Sequence, residues 1–277
     1  MFFKSVGVVG WAYRSALVLT FRFKLWLPFL FIALAQGVIL IALVYFHRPG
    51  ISPFMFPVVR TVGGETATHY PAFFFYLPLL VSRVSLLFAV LGTSIAVAAA
   101  TLLFADAFGH RSGKKPWGYS ARRYPTLIVV AAILAAGIFG ISQLSTLVPH
   151  NLFQGSRLVR WGTRAGLLLL FVVVQSFLVY ATAWIVLRGH KVLPAMRDSI
   201  RVTARTFVPT FLIVAIPVLI LFPLDYLAGR TDLYATKLNP EMTAGILGLR
   251  IVIQTLFSFL LVGAVTRLFL WRMESAR

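Results

Sequence analysis

The stretch GHRSGKK from Gly109 combines two glycines with paired lysines, the ingredients of a loop that cradles phosphate on backbone N–H groups. Such a loop needs four residues between its glycines and a Ser or Thr after the lysine. Here three residues separate Gly109 from Gly113, and Lys115 follows Lys114, so a solvated basic loop accounts for the stretch better. The 5 histidines, His47, His69, His110, His150 and His190, fall in loops without His-x-x-x-His or His-Glu-x-x-His spacing. His47, His69 and His150 share one side of the chain, which leaves a surface metal site as the lesser alternative to ordinary loop histidines. The absence of cysteine excludes disulfides, thiolate metal sites and a cysteine nucleophile. No nucleophile, base and acid can be assembled into a set, so no catalytic residue, metal or cofactor is expected.

Polar residues inside apolar runs are the remaining candidates. Arg83, Asp225 and Arg250 all fall toward the same end of their runs, with Gln254 one helical turn below Arg250 and Gln143 at similar depth on another run. Charges at that depth are costly unless paired or hydrated. Two readings follow: Asp225 pairs with one arginine while the other reaches outward, or the group holds an anionic headgroup or substrate. The 7 acidic residues otherwise keep to the ends of the runs. Proton- and cation-coupled carriers usually place carboxylates near the membrane midplane, so this distribution argues against proton-driven transport.

The elements that must position these groups are set by composition. Of 277 residues, 60% are hydrophobic and 12% charged, with a mean hydropathy of +0.90, which defines an all-α integral membrane protein. A spanning helix needs about 20 mostly apolar residues. Six runs qualify, near residues 25–46, 80–105, 125–148, 164–187, 207–225 and 245–271. The second begins as early as Ala72, too long for one straight crossing, and Pro71 and Pro78 predict that Ala72–Val81 lies along the outer surface. The net charge of +19 does not point to nucleic acid, because the basic residues punctuate apolar runs instead of gathering on a soluble face.

Most of the 26 basic residues fall on one side: Lys4, Arg14, Arg22 and Lys24, then Arg111 to Arg123, then Arg188 to Arg205, then Arg267, Arg272 and Arg277. By the positive-inside rule that side, with both termini, faces the cytoplasm. Residues 1–24 are not expected to be a cleaved signal peptide, since Arg14, Arg22 and Lys24 interrupt the apolar stretch and no small-residue cleavage site follows. They form an amphipathic interfacial helix ahead of a six-helix domain over 25–277. Lys4, Trp11, Arg14, Ser15 and Arg22 share one arc, and Phe2, Val6, Val9 and Leu17 are left to enter the membrane boundary.

Two internal segments, near 107–124 and 189–206, have the same character. Arg197, Arg201 and Arg205 recur every four residues on one stripe, with Met196, Ile200, Thr203 and Phe207 on the other. Arg122 and Arg123 precede Pro125 with an aromatic pair nearby. Lys4, Arg14, Arg22, Arg122, Arg123, Arg197, Arg201 and Arg205 are therefore the candidate contacts with anionic lipid or a cytoplasmic partner. Pro28, Pro125 and Pro209 mark where each surface segment gives way to a spanning helix. "ARRYPTLIVV" and "ARTFVPTFLIV" are nearly the same junction, and the chain reads as three units of one interfacial helix plus two spans. The plain composition of any basic loop entering a membrane is the alternative. Small residues at every fourth place, Gly92, Ala96 and Ala100 on the second run and Ala132, Ala136 and Gly140 on the third, predict close helix packing, within the chain or between subunits.

The junction "VLRGHKVLPAMRDSIRVTARTFVPTFLIV" resembles the six-helix membrane domain fused to some bacterial glycerophosphodiester phosphodiesterases and related stand-alone bacterial membrane proteins. The resemblance covers the helix plan and this one junction. It implies a bacterial inner-membrane bundle without its own catalytic centre, associated with lipid; the soluble phosphodiesterase domain has no counterpart here. The function expected is a non-enzymatic membrane subunit or scaffold whose basic surface helices hold anionic lipid, other membrane proteins or a cytoplasmic partner. The alternative is the permease subunit of a transporter driven by a separate ATPase, with the 107–124 segment in the place of a coupling helix.

Overall fold

The computed structural model describes residues 2–69, 72–110, 112–147, 157–228 and 240–274. Among them the chain is all helical, with no strand. In chain order the helices are α1 (Phe2–Val18), α2 (Phe23–Val44), α3 (Ser52–Gly63), α4 (Ala72–Phe88), α5 (Ser94–Ala107), α6 (Pro116–Arg122), α7 (Tyr124–Leu147), α8 (Arg157–Leu178), α9 (Ala181–Arg188), α10 (Val192–Arg205), α11 (Phe207–Ala228) and α12 (Pro240–Glu274). Six stretches are long and apolar enough to cross a membrane: Phe23–Val44, Tyr76–Ala107, Tyr124–Ile141, Trp161–Arg188, Phe207–Leu224 and Met242–Glu274. They match the six expected runs. Both ends of the described chain lie at one end of the bundle, the basic end, where α1 packs with the last turns of α12.

In lipid, hydrophobicity does not drive one helix onto another, so close packing and hydrogen bonds must hold the bundle. α12 supplies the central surface, touching α1, α2, α5 and α11. Trp26 stacks on Phe259 with ring centroids 4.2 Å apart, and Phe29 and Phe104 meet the same phenylalanine edge-on at 5.5 and 5.0 Å. Each such aromatic pair contributes about 0.5–1.5 kcal/mol beyond its buried area. One turn further along the same face of α12, Gly263 lets α1 approach: a Cβ there would lie 2.8 Å from Ala16 Cβ and 2.9 Å from the Phe104 ring. α1 therefore docks its small side, Val9, Ala12 and Ala16, into the protein, and the Tyr13 hydroxyl donates to the Ile213 carbonyl at 2.6 Å. This corrects the expectation for Val9, which packs in the core and not in the lipid boundary. Val6 and Leu17 do remain exposed, as does Arg14, but the helix ends at Val18 and Arg22 stands in extended backbone after the turn Leu19–Phe21, so it does not share the expected arc.

The segment Ala72–Val81 also departs from expectation. It does not lie apart from the bundle but continues into the second span, because Leu77, Leu80 and Val81 are buried against Leu40, Leu43 and Leu247. Pro78 is accommodated inside α4. One π-helical turn at Ala89–Thr93 joins α4 to α5. The surface helix at the far end is α3 instead, braced to its loop by an exposed Arg60–Glu65 pair at 2.7 Å. Pro28 lies six residues into α2 rather than in its first turn, whereas Pro125 and Pro209 sit within the first turns of α7 and α11.

The two small-residue stripes have different fates. Ala96 and Ala100 are buried and Gly92 is half-buried under the Phe88 ring. Ala132, Ala136 and Gly140 are exposed on the outside of α7, and nothing stands within 4 Å of a Cβ built on Gly140. The third span packs on the fourth beside this stripe, where a Cβ on Gly137 would meet Val174, so among the described residues the small stripe is not a seam.

Candidate functional site

The basic end is built by α1, α6 and α10, each directly ahead of a span. In α10 the buried stripe is Ala195, Ser199 and Thr203; of the residues read as lying opposite the arginines, Thr203 belongs to it, Met196 is half-buried against the core, and Ile200 and Phe207 are exposed. The reason lies in the fourth span, which breaks over Val179–Tyr180 between α8 and α9. The last carbonyls of a helix lack partners within it, and in a membrane they must find them elsewhere. Ser199 donates to the Phe177 carbonyl at 2.7 Å and Thr203 to the Ser176 carbonyl at 2.9 Å. Tyr180 shares a hydrogen bond with Thr210 at 2.8 Å, and Thr210 one with Thr206 at 3.2 Å. The hydroxyls of this junction are thus spent on helix ends. On the outward side Arg197, Arg201 and Arg205 are exposed next to Leu193, which is 78% exposed. Asp198 stands 4.0 Å from Arg201 and 3.2 Å from His190 Nδ1, the latter without hydrogen-bond geometry.

The loop from Gly109 packs down and does not form an open cradle. Lys114 Nζ donates to the carbonyls of Val186 at 2.7 Å and Leu187 at 3.3 Å, neutralising the last turn of α9. The same ammonium lies 4.2 Å from the centre of the Tyr119 ring, and Arg123 lies 5.7 Å from it. Gly189, in the left-handed region at φ 75°, ends α9 where Arg123 comes close. Burial alone would raise the Tyr119 phenol, but hydrogen bonds from Arg123 and Lys114 and their charges outweigh it and hold it below the usual tyrosine range. Arg123 is therefore engaged with the protein, whereas Arg122 is exposed beside Trp117. The Lys4 side chain lies outside the described residues.

Toward the far end, four of the five residues expected as a polar constellation converge. Arg83, Gln143, Arg250 and Gln254 line one cleft of about 630 Å³. The Asp225 side chain lies outside the described residues. The cleft is bounded by α2, α4, the π-turn, α5, α7, α8 and α12. It exists because the third span meets the second through α5 and the π-turn, while α4 diverges from α7 above them. Tyr124 donates to the Leu91 carbonyl at 2.7 Å and fixes the point of divergence. At the rim, Arg83 Nη1 donates to the Val62 carbonyl of α3 at 3.4 Å. The floor is apolar, with Phe29, Ile32, Val97 and Phe171. No Asp or Glu is among the described lining residues.

The chain matches no protein-family model, and neither curated proteins nor solved structures gave a match.

Among the polar lining residues, Gln36, Ser82, Ser85, Thr93, Thr255 and Ser258 escaped the sequence reading. Gln36 is 7% exposed on α2 and could have been found as the one polar side chain in "IALAQGVIL". Ser258 carries a weaker signal of the same kind. Thr93 has no such signal, because the π-turn shifts it out of the helical period; its hydroxyl is buried without a hydrogen-bond partner.

Proposed function

We propose that the chain is a non-enzymatic inner-membrane protein, a membrane subunit or scaffold whose basic end holds anionic lipid of the cytoplasmic leaflet. The observation that carries this reading is α10, which has a protein-facing hydroxyl stripe, a water-facing arginine stripe and, between them, exposed Leu193 and Ile200 at the depth of an interface. α1 repeats the plan with Arg14, Val6 and Leu17, and Arg22 follows just beyond its C-terminal end. Juxtamembrane arginines attract an anionic leaflet by about 1 kcal/mol each. The reading accords with the resemblance of the α10 junction to the phosphodiesterase-fused membrane domains.

The test is extraction of the protein with its surrounding lipid and mass spectrometry of that lipid. Wild type is expected to be enriched in anionic lipid, and a variant with Arg197→Gln, Arg201→Gln and Arg205→Gln to lose most of the enrichment; equal lipid content in the two would sink the proposal. A second reading, the permease subunit of an ATP-driven transporter, draws on α6, a short helix between the second and third spans with Trp117 and Arg122 exposed. A copurifying ATPase that is lost on Trp117→Ala would favour it.

A further inference from the structure

The cleft at the far end carries a separate inference that does not depend on the reading of the basic end. Long polar side chains from four different helices, Gln36, Arg83, Gln143 and Arg250 with Gln254, are turned toward one space at membrane depth. Polar residues there are expensive and mark ligand paths more often than packing. The described lining carries two cations and no carboxylate, which is the wrong sign for a cation and the right one for an anion. A π-turn in a spanning helix recurs at functional sites, and here its Ala89 and Thr93 both face the cleft, Thr93 with a buried, unpartnered hydroxyl.

The shape narrows the ligand. The volume of about 630 Å³ lies within the range of roughly 300–1,000 Å³ typical of small-molecule sites. From Arg250 down to Ser258 the lining descends about 12 Å, at about 1.5 Å per helical residue. Charge is confined to Arg83 and Arg250, and the rest of the described lining is uncharged, aromatic and aliphatic at Phe29, Ile32, Val97 and Phe171 with Gln36, Thr93, Thr255 and Ser258 among them. Leu79 and Phe139, both exposed, stand on the two helices that diverge, so the opening faces sideways into the bilayer as well as outward. A freely soluble anion would leave the floor unsatisfied. We propose that this cleft binds an anionic amphiphile of the far leaflet, its phosphate or carboxylate headgroup at Arg83 and Arg250 and its chain between α4 and α7. Arginine suits this role because its fork bonds two oxygens of such a group at once.

The experiment uses the full chain in phosphatidylcholine nanodiscs doped with phosphatidylglycerol carrying a photoreactive acyl chain, with adducts mapped by peptide mass spectrometry. Adducts are expected on cleft residues of α4 and α7, and fewer with photoreactive phosphatidylcholine. Losing one charge-assisted hydrogen bond costs about tenfold in affinity, so Arg83→Gln with Arg250→Gln should remove most adducts, while the exposed Lys24→Gln with Lys191→Gln should leave them. Adducts spread evenly onto the outward-facing Leu34 and Val38, or unchanged by the Arg83 and Arg250 substitutions, would overturn the proposal. Displacement of the adducts by millimolar inorganic phosphate would overturn the amphiphile in favour of a free anion; retention supports the lipid. If the double variant does not fold, the comparison of phosphatidylglycerol with phosphatidylcholine on wild type decides alone.

Discussion

At the scale of single residues, the hydroxyls of α10 are structural and its arginines are free to act outward. Thr203→Val keeps shape and removes the bond to the Ser176 carbonyl, which should cost about 1 kcal/mol, the usual worth of an interhelical hydrogen bond in a membrane. Thermal or detergent unfolding would measure it, and Arg201→Gln, being exposed, should leave the same curve nearly unmoved. Tyr119 offers a second check. Since Lys114 and Arg123 hold its phenol below the usual range, replacing either by Gln should move its ionisation to higher pH, read as the absorbance difference between each variant and its Tyr119→Phe counterpart. The ionised phenol is favoured in the folded chain, so its stabilising effect is present at alkaline pH and lost as pH falls through the folded pKa. The sequence exposed Arg83, Arg250, Gln143 and Gln254 because each interrupts an apolar run. It hid Thr93, whose place depends on a local change of helical period, and it could not say that Ser199 and Thr203 answer a break in a helix more than twenty residues earlier.

At the scale of helices, hydropathy located all six spans within a few residues, since length and apolarity alone decide that property. It misjudged Ala72–Val81, because a proline and excess length look the same whether a helix turns aside or runs straight on into the span, and only the packing of Leu77, Leu80 and Val81 decides between them. Periodicity likewise found small stripes on two spans but not which way each one faces; that is set by neighbours. The α1–α12 contact makes the sharpest prediction here. Gly263→Leu would drive a side chain into Ala16 and Phe104 and should destabilise the fold by about 1–3 kcal/mol, the common cost of overpacking. Gly245→Leu, at a position with open space around its Cβ, is the control in the same unfolding assay and should cost less.

At the scale of the whole molecule, the lack of native cysteine gives a clean background for accessibility labelling. His69→Cys and Lys115→Cys lie at opposite ends of the bundle, so an impermeant reagent added to intact cells should label His69→Cys and spare Lys115→Cys; labelling of both from one side would refute the proposed orientation. Lys115 is the better probe than its neighbour, whose ammonium is tied to the end of α9. The packing of α1 on α12 also bears on how the protein is made. Ribosomes deliver α1 long before α12, and the inward face of α1, Val9, Ala12, Tyr13 and Ala16, has its main partner in α12. Until then that face must wait at the bilayer surface, so bundle closure is a late event of biosynthesis, and chains halted before α12 should leave α1 open to protease.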